Sequence, residues 1–239
     1  MMRLNRYLAW CGLASRRKCE ALIRAGRVAI DGQIATSLST NIDEQKQIVT
    51  VDGRRIQPPK KFVYIVMNKP AGYVTTAQDE LGRKTVMELL PKQIRVFPVG
   101  RLDKNTRGVL LFTNDGVLAF QLLHPRFDVD KIYQAEIDKP ISDDHVRQLQ
   151  TGVHLEDGMT HPCQVKLLTR ARTCLQLTLH EGRKRQVRRM LQALGYQVIS
   201  LIRTQFASIQ IGDLKSGHWR YLTDEEVNTL KKLVTGKNG

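Results

Sequence analysis

Gly100-Arg101-Leu102-Asp103-Lys104-Asn105-Thr106-Arg107-Gly108 runs directly into Val109-Leu110-Leu111-Phe112. A polar turn bounded by two glycines therefore precedes an apolar run suited to a buried strand. The turn presents one carboxylate, Asp103, with Arg101 and Arg107 around it. A turn Asp more often ties its own backbone or caps a helix. A carboxylate beside arginines, however, stays ionised at neutral pH and is then a usable nucleophile. A second segment, Glu181-Gly182-Arg183-Lys184-Arg185-Gln186-Val187-Arg188-Arg189-Met190, supplies five cations within positions 183 to 189 for such a carboxylate and for a polyanion. The two stretches together suggest chemistry performed on nucleic acid.

Working outward, Phe62 to Met67 reads as a buried strand ended by Lys69-Pro70-Ala71-Gly72, and Thr85 to Leu90 as a short helix. Asp115-Gly116 opens a helix that His124-Pro125 stops. Ile132 to Ile137 alternates as a strand, Ser142 caps a helix with Val146 and Leu149 inward, and Gln164 to Leu168 and Cys174 to Leu179 are further strands. Val187, Met190, Leu191 and Leu194 share one helix face ahead of Gly195, which puts Arg185, Arg188 and Arg189 on the opposite side. Thr223-Asp224-Glu225-Glu226 is a capping box for a last helix with Val227, Leu230 and Leu233 facing in. Strands dominate and helices interrupt them irregularly. That is the signature of an α+β fold with a mixed, mainly antiparallel β-sheet and flanking helices, not of regular β-α alternation.

The first 56 residues read as a separate α-α-β module. Leu4, Tyr7, Leu8 and Cys11 recur at helical spacing up to Gly12. Ser15 caps a second helix with Cys19, Leu22 and Ile23 on its apolar side, and Gly26 supplies its left-handed stop. Asp31-Gly32 between Val28-Ala29-Ile30 and Gln33-Ile34-Ala35 predicts a type I′ hairpin. One more short strand, Ile48 to Val51, precedes Asp52-Gly53. Arg3, Arg6, Arg16, Arg17, Lys18, Arg24 and Arg27 crowd this module. Glu20 could pair with Arg16 and Arg24 at four-residue spacings as a plain solvated face, but so many cations exceed what solubility requires. Gln57-Pro58-Pro59-Lys60-Lys61 is a stiff charged linker. The division expected is module 1–56, linker 57–61, catalytic domain 62–235 and tail 236–239.

Composition narrows the function. Apolar residues make up 41% of the 239, enough for a real core. Lys and Arg outnumber Asp and Glu by 38 to 23, a formal charge of +15, and the isoelectric point is near 9.9. Such a surplus neutralises phosphates. An anionic membrane would also attract it, but no basic amphipathic helix with large exposed apolar residues is visible. No apolar run approaches a membrane span and no signal peptide is apparent, so a cytoplasmic protein is expected. Cys11, Cys19, Cys163 and Cys174 are too far apart for a paired Cys-x-x-Cys site, and the six histidines lack ligand spacing. No metal is expected, and the cysteines read as small hydrophobes. Without heptads or an obvious dimer surface, a monomer is expected.

The chain resembles the bacterial ribosomal RNA pseudouridine synthases of the RsuA/RluB family nearly end to end. The first module is similar to the S4-type RNA-binding domain at Arg3-Leu4, Ser15-Arg16-Arg17, Gly26-Arg27-Val28 and Asp31-Gly32. The catalytic signature is Gly100-Arg101-Leu102-Asp103 with Thr106, Gly108 and Leu110-Leu111-Phe112-Thr113-Asn114-Asp115-Gly116. It is supported by Asn68-Lys69-Pro70-Ala71-Gly72, Lys131-Ile132-Tyr133 and Glu181-Gly182-Arg183 with Gln186-Val187-Arg188-Arg189-Met190. The resemblance implies three catalytic residues: Asp103 as nucleophile, Tyr133 against the target base, and Arg188 paired with the Asp103 carboxylate. It also implies that Arg101 enters the space of a flipped base, although a structural ion pair would suit Arg101 nearly as well. Arg185 stands where the wider superfamily often has His and receives an RNA-contact role only. RNA contacts are expected from Arg3, Arg16, Arg17, Lys18, Arg24, Arg27, Arg101, Arg183 and Arg185.

The implied reaction is isomerisation of uridine to pseudouridine in ribosomal RNA. Its atoms are conserved, so it calls for no cofactor. Asp103 would assist either by attacking the substrate or by promoting elimination across the sugar. The partner is ribosomal RNA or an assembly intermediate, with the Arg-rich helix leaning toward the large subunit. A non-catalytic RNA-binding or ribosome-assembly factor on the same fold is the alternative. An aspartate-dependent hydrolase is a third reading, disfavoured because the sequence lacks a metal cluster.

Overall fold

The computed structural model describes residues 1–59, 61–77 and 79–235. Lys60 of the expected linker and the expected tail 236–239 lie outside the described residues. Contacts divide the chain into two compact units, Met1–Val63 with Asn114–Gly116, and Tyr64–Thr113 with the chain from Val117 onward.

The first unit starts with β1 (Met2–Arg3), α1 (Leu4–Trp10) and α2 (Arg16–Arg24). The Ser15 hydroxyl accepts from the Lys18 amide at 3.3 Å and caps α2. At its other end Gly26 is left-handed, with φ +66, and the Gly26 and Arg27 amides return to the carbonyls of Ile23 and Leu22. This is a Schellman ending, for which glycine is the natural residue. Next come β2 (Val28–Ile30), β3 (Gln33–Ile34), β4 (Asn41–Ile42), β5 (Val49–Val51) and β6 (Arg54–Ile56). The main sheet has the order β3-β2-β5-β6, and β1 pairs with β4. Two Asp-Gly turns with positive φ, Asp31-Gly32 and Asp52-Gly53, close its two hairpins. Leu4, Leu8, Cys19, Ile23, Val28 and Ile42 form the centre of its core. The unit therefore contains more strand than the expected α-α-β pattern. The return strand β6 escapes the sequence pattern because Arg54-Arg55 lacks the apolar alternation of a strand.

The second unit comprises β7 (Tyr64–Lys69), a 3-10 turn (Val86–Leu89), β8 (Phe97–Val99), β9 (Arg107–Thr113), α3 (Gly116–Leu123), and a second 3-10 turn (Pro125–Phe127). It continues with β10 (Lys131–Ile137), α4 (Asp143–Thr151), β11 (His154–Leu155), β12 (Gly158–Met159), β13 (Gln164–Leu167) and β14 (Cys174–Leu179). It ends with α5 (Gln186–Ala193), β15 (Val198–Phe206), β16 (Ile209–Gln210), β17 (Trp219–Tyr221) and α6 (Asp224–Thr235).

The large sheet runs β13-β14-β10-β15-β9-β7-β17, with β8 beside β9 and β16 beside β15. All of its pairs are antiparallel except β15 with β9. This is the mixed, mainly antiparallel α+β architecture the sequence implies. Strand β7 begins two residues later than its apolar pattern suggests and extends to Lys69. One core gathers around Leu149, Leu175, Leu177, Met190 and Leu191, so α5 docks through the face its periodicity defines. A second gathers around Val109, Leu111, Leu122, Phe127, Phe206 and Leu230. The Thr223-Glu226 capping box of α6 is formed in both directions, at 2.9 and 3.2 Å.

The parallel junction is the constrained point of the sheet. Gly108 on β9 lies opposite Arg203 on β15, with φ +109. A Cβ at Gly108 would stand 2.1 Å from the Arg203 carbonyl oxygen. Only glycine allows this approach.

Candidate active site

The Asp103 turn is held by its backbone. Lys69, the last residue of β7, has 0% exposed surface. Its ammonium donates to the carbonyls of Pro70, Asp103, Lys104 and Thr106 at 2.9 to 3.1 Å. Burial pushes the Lys69 pKa down to about 8, while the Asp103 charge acts in the opposite direction. Thr75 adds a clamp, its hydroxyl donating to the Leu102 carbonyl at 2.8 Å and accepting from the Leu102 amide at 3.2 Å. The Thr106 amide closes the turn on the Asp103 carbonyl at 3.0 Å. Among the described residues, no hydrogen bond or ion pair occupies the Asp103 carboxylate. Main-chain groups fix the loop and leave the acid available for chemistry.

Asp103 and Tyr133 line one cleft of about 940 Å³, together with Arg101, Lys131, Arg203 and Phe206. Tyr133 is on β10, directly opposite Arg203 on β15, where a bulge shifts the register between Ile132 and Tyr133. Bulges of this kind re-aim side chains next to reaction centres. Lys131 is held by the Val129 and His180 carbonyls at 2.8 and 2.9 Å. Burial, then the charge of Arg203, pushes its pKa down to about 8, against the opposing pull of Asp128, Asp130 and Glu181.

Arg188 departs from its expected contact. Among the described residues no ion pair joins it to Asp103; it lines an adjoining hollow instead. Its guanidinium donates to the Val198 carbonyl at 3.1 Å and reaches the Asn105 carbonyl, two residues beyond Asp103, at 3.5 Å. Burial, then the nearby Arg185, lowers its pKa, and Asp103 opposes that shift.

The remaining arginines divide by what they touch. Arg185 is not on a helix face, because it precedes α5 with φ +53; it is exposed and lines the cleft. Arg189 is likewise not free to face outward, since it forms a two-pronged ion pair with Asp157 that holds the Asp157 carboxyl down at about 2. Arg183 also lines the cleft, but its guanidinium donates to Glu181 and to the carbonyls of Gly158 and Met159. Arg183 and Arg189 thus tie the β11–β12 hairpin to the start of α5. In the first unit Arg3, Arg16, Arg17, Lys18, Arg24 and Arg27 are all exposed. Arg27 is paired with Asp52. Glu20 accepts from the Asn5 amide at 2.7 Å and forms no ion pair with Arg16 or Arg24, so the self-neutralised surface does not form.

Lys69 and Lys131 belong to sequence motifs that by themselves assign them no role, and Arg203 belongs to none. Lys-Pro at a strand end is the available signal for Lys69. Nothing local marks Arg203.

Comparison with known proteins places these features. The family model described as S4 domain matches residues 2–48, and the one described as RNA pseudouridylate synthase matches residues 63–193. A ribosomal large subunit pseudouridine synthase B of Bacillus subtilis is 41% identical over all of this chain and 99% of its own. An uncharacterised RNA pseudouridine synthase of Aquifex aeolicus is 42% identical over 98% of this chain and 95% of its own. A dual-specificity RNA pseudouridine synthase RluF of Salmonella typhi is 36% identical over 99% and 81%. A crystal structure of a pseudouridylate synthase superposes with a TM-score of 0.71 at 27% identity, covering 96% of this chain and all of that one. Fold and cleft describe an enzyme that joins an RNA-binding module to a catalytic sheet. The chain belongs to the RNA pseudouridylate synthase family, which converts uridine to pseudouridine in RNA.

Proposed function

We propose that this chain isomerises a specific uridine of ribosomal RNA, in the large subunit, with Asp103 as its nucleophile. One observation carries the assignment: the Asp103 backbone is anchored to a buried lysine while its carboxylate stands unengaged in the cleft that Tyr133 shares. The relatives named for large-subunit and dual-specificity synthases support the substrate class. The target uridine must leave its stack to reach this cleft, at a cost of a few kcal/mol. Phosphate contacts from residues 1–56 and from Arg101 and Arg185 offset that cost. Tyr133 packs against the base. Arg188 supports the Asp103 charge through the Asn105 backbone and moves onto the carboxylate when substrate fills the cleft.

Residues 1–56 act as the RNA anchor, 57–61 as linker and 62–235 as the catalytic domain. The protein works as a monomer in the cytoplasm on ribosomal RNA or an assembly intermediate. The isomerisation conserves every atom and needs no cofactor. Mapping pseudouridines in ribosomal RNA from cells with and without the gene tests the substrate. One large-subunit pseudouridine should disappear when the gene is absent. Identical maps would instead favour a non-catalytic RNA-binding factor.

A further inference from the structure

Among the described residues Arg203 is a buried cation with no counter-ion. It lies in the cleft wall between Tyr133 and Gly108, its partners on the two neighbouring strands. Its residue surface is 3% exposed. The Nε–H donates to the Val109 carbonyl at 2.9 Å, and the guanidinium carbon is 4.8 Å from the centre of the Phe206 ring. The Nη2 group is shielded from water and lacks a hydrogen-bond partner. Among the described residues no carboxylate forms an ion pair with this guanidinium. Lys131, 7% exposed on the neighbouring strand, adds a second cation to the same wall.

An uncompensated charge is strongly unfavourable inside a fold, and an apolar side chain of similar size would avoid that penalty. A cation kept there, in the wall of the cleft that the Asp103 carboxylate also lines, indicates a functional charge requirement. Asp103 cannot be its only beneficiary, because the two form no ion pair. The reaction itself supplies an anion at this place.

We propose that Arg203 is the charge-stabilising residue of the base subsite, countering the uracil anion that exists between cleavage at nitrogen 1 and bond formation at carbon 5. This rests on the synthase reading of the cleft. When the bond from C1′ to N1 breaks, its electron pair leaves with uracil, which becomes an anion delocalised over N1 and the two carbonyl oxygens. If Asp103 attacks, its oxygen bonds to C1′; carbon 5 later displaces it, and the proton on carbon 5 passes to N1. If Asp103 promotes elimination, it takes the C2′ proton and returns it as carbon 5 bonds to C1′, with the same final transfer to N1. Both routes balance without another reactant, and both pass through the uracil anion. A fixed cation in a low-dielectric wall acts most strongly on such developing charge, and it needs no rearrangement at the moment of reaction.

Arg203 could instead serve only to join β9 to β15, and the two roles separate on stability. The full-length variants Arg203→Met, Arg203→Gln and Arg203→Lys are compared with the wild type by thermal denaturation and by kcat and KM on an RNA that the wild type converts. The charge role predicts that Arg203→Met or Arg203→Gln melts at or above the wild-type temperature, while kcat falls about 100-fold with KM nearly unchanged. Arg203→Lys should regain about tenfold of that loss, since it restores charge without the fork geometry. Wild-type kcat in both neutral variants would overturn the proposal. So would a joint fall of melting temperature and kcat in all three variants without rescue by lysine. A wild type that makes no pseudouridine in any ribosomal RNA would overturn the synthase reading itself, a result distinct from either of these.

Discussion

Lys69 buries its whole surface at the end of β7, and three of its four carbonyl partners belong to the turn that carries Asp103. Lys69→Met would remove a donor from four carbonyls, of which those of Asp103 and Lys104 keep the amides of Thr106 and Gly72; a carbonyl left unpaired and buried costs about 1–3 kcal/mol. We expect a lower melting temperature and a kcat reduced about 100-fold, with RNA affinity kept; displacement of a catalytic loop by about 1 Å is enough for that loss. The pH dependence has a definite sign. Folding lowers this pKa from 10.5 to about 8, so between those values the unfolded chain binds a proton the folded chain has released. The stability of the wild type relative to Lys69→Met therefore rises with pH across that window. Wild-type activity falls over the same range, because a neutral amine has fewer donors for the four carbonyls. Denaturation and turnover of both proteins at about pH 7.5 and about pH 10, on either side of the shifted pKa, check both trends. A stability difference that stays flat would refute the burial of this charge.

At the scale of elements, the β9–β15 junction is the least tolerant place in the sheet. Gly108→Ala combines positive φ with a Cβ 2.1 Å from the Arg203 carbonyl oxygen. The backbone must move, and we expect a largely insoluble or strongly destabilised protein, read by circular dichroism and soluble yield. Local chemistry makes many elements legible in the sequence: the Ser15 cap, the Gly26 stop, the Asp31-Gly32 hairpin, the α5 face and the α6 capping box all depend on residues a few positions apart. Long-range partners are not legible. Nothing near Lys69 in sequence indicates the turn 34 to 37 residues later that supplies three of its acceptors. Arg183 and Arg189 read as free cations because Asp157 and the β11–β12 carbonyls lie 24 to 32 residues earlier in the chain. Helical periodicity extended one residue too early misplaces Arg185, and Arg203 looks like any packing position of a strand.

For the whole molecule, a net charge of +15 makes binding to a polyanion sensitive to salt. Arg16, Arg17 and Arg24 are exposed and, among the described residues, form no ion pairs, so they remain available for phosphates. Replacing all three with Gln in the full chain should weaken RNA binding and flatten its salt dependence by about 0.7 to 0.9 log units for each phosphate left without its cation. Turnover at saturating RNA should persist. An unchanged salt slope would remove the first unit from its role as anchor. In the proposed account the first unit anchors the RNA, and Asp103, its carboxylate unengaged on a turn held by Lys69 and Thr75, is the residue on which the chemistry depends. The direct measurement is pseudouridine formation in a ribosomal RNA transcript by the wild type and by Asp103→Asn, with binding of the same transcript measured alongside. A nucleophilic Asp103 predicts conversion of a defined uridine by the wild type, none by Asp103→Asn, and comparable binding by both; conversion by Asp103→Asn at the wild-type rate would contradict it.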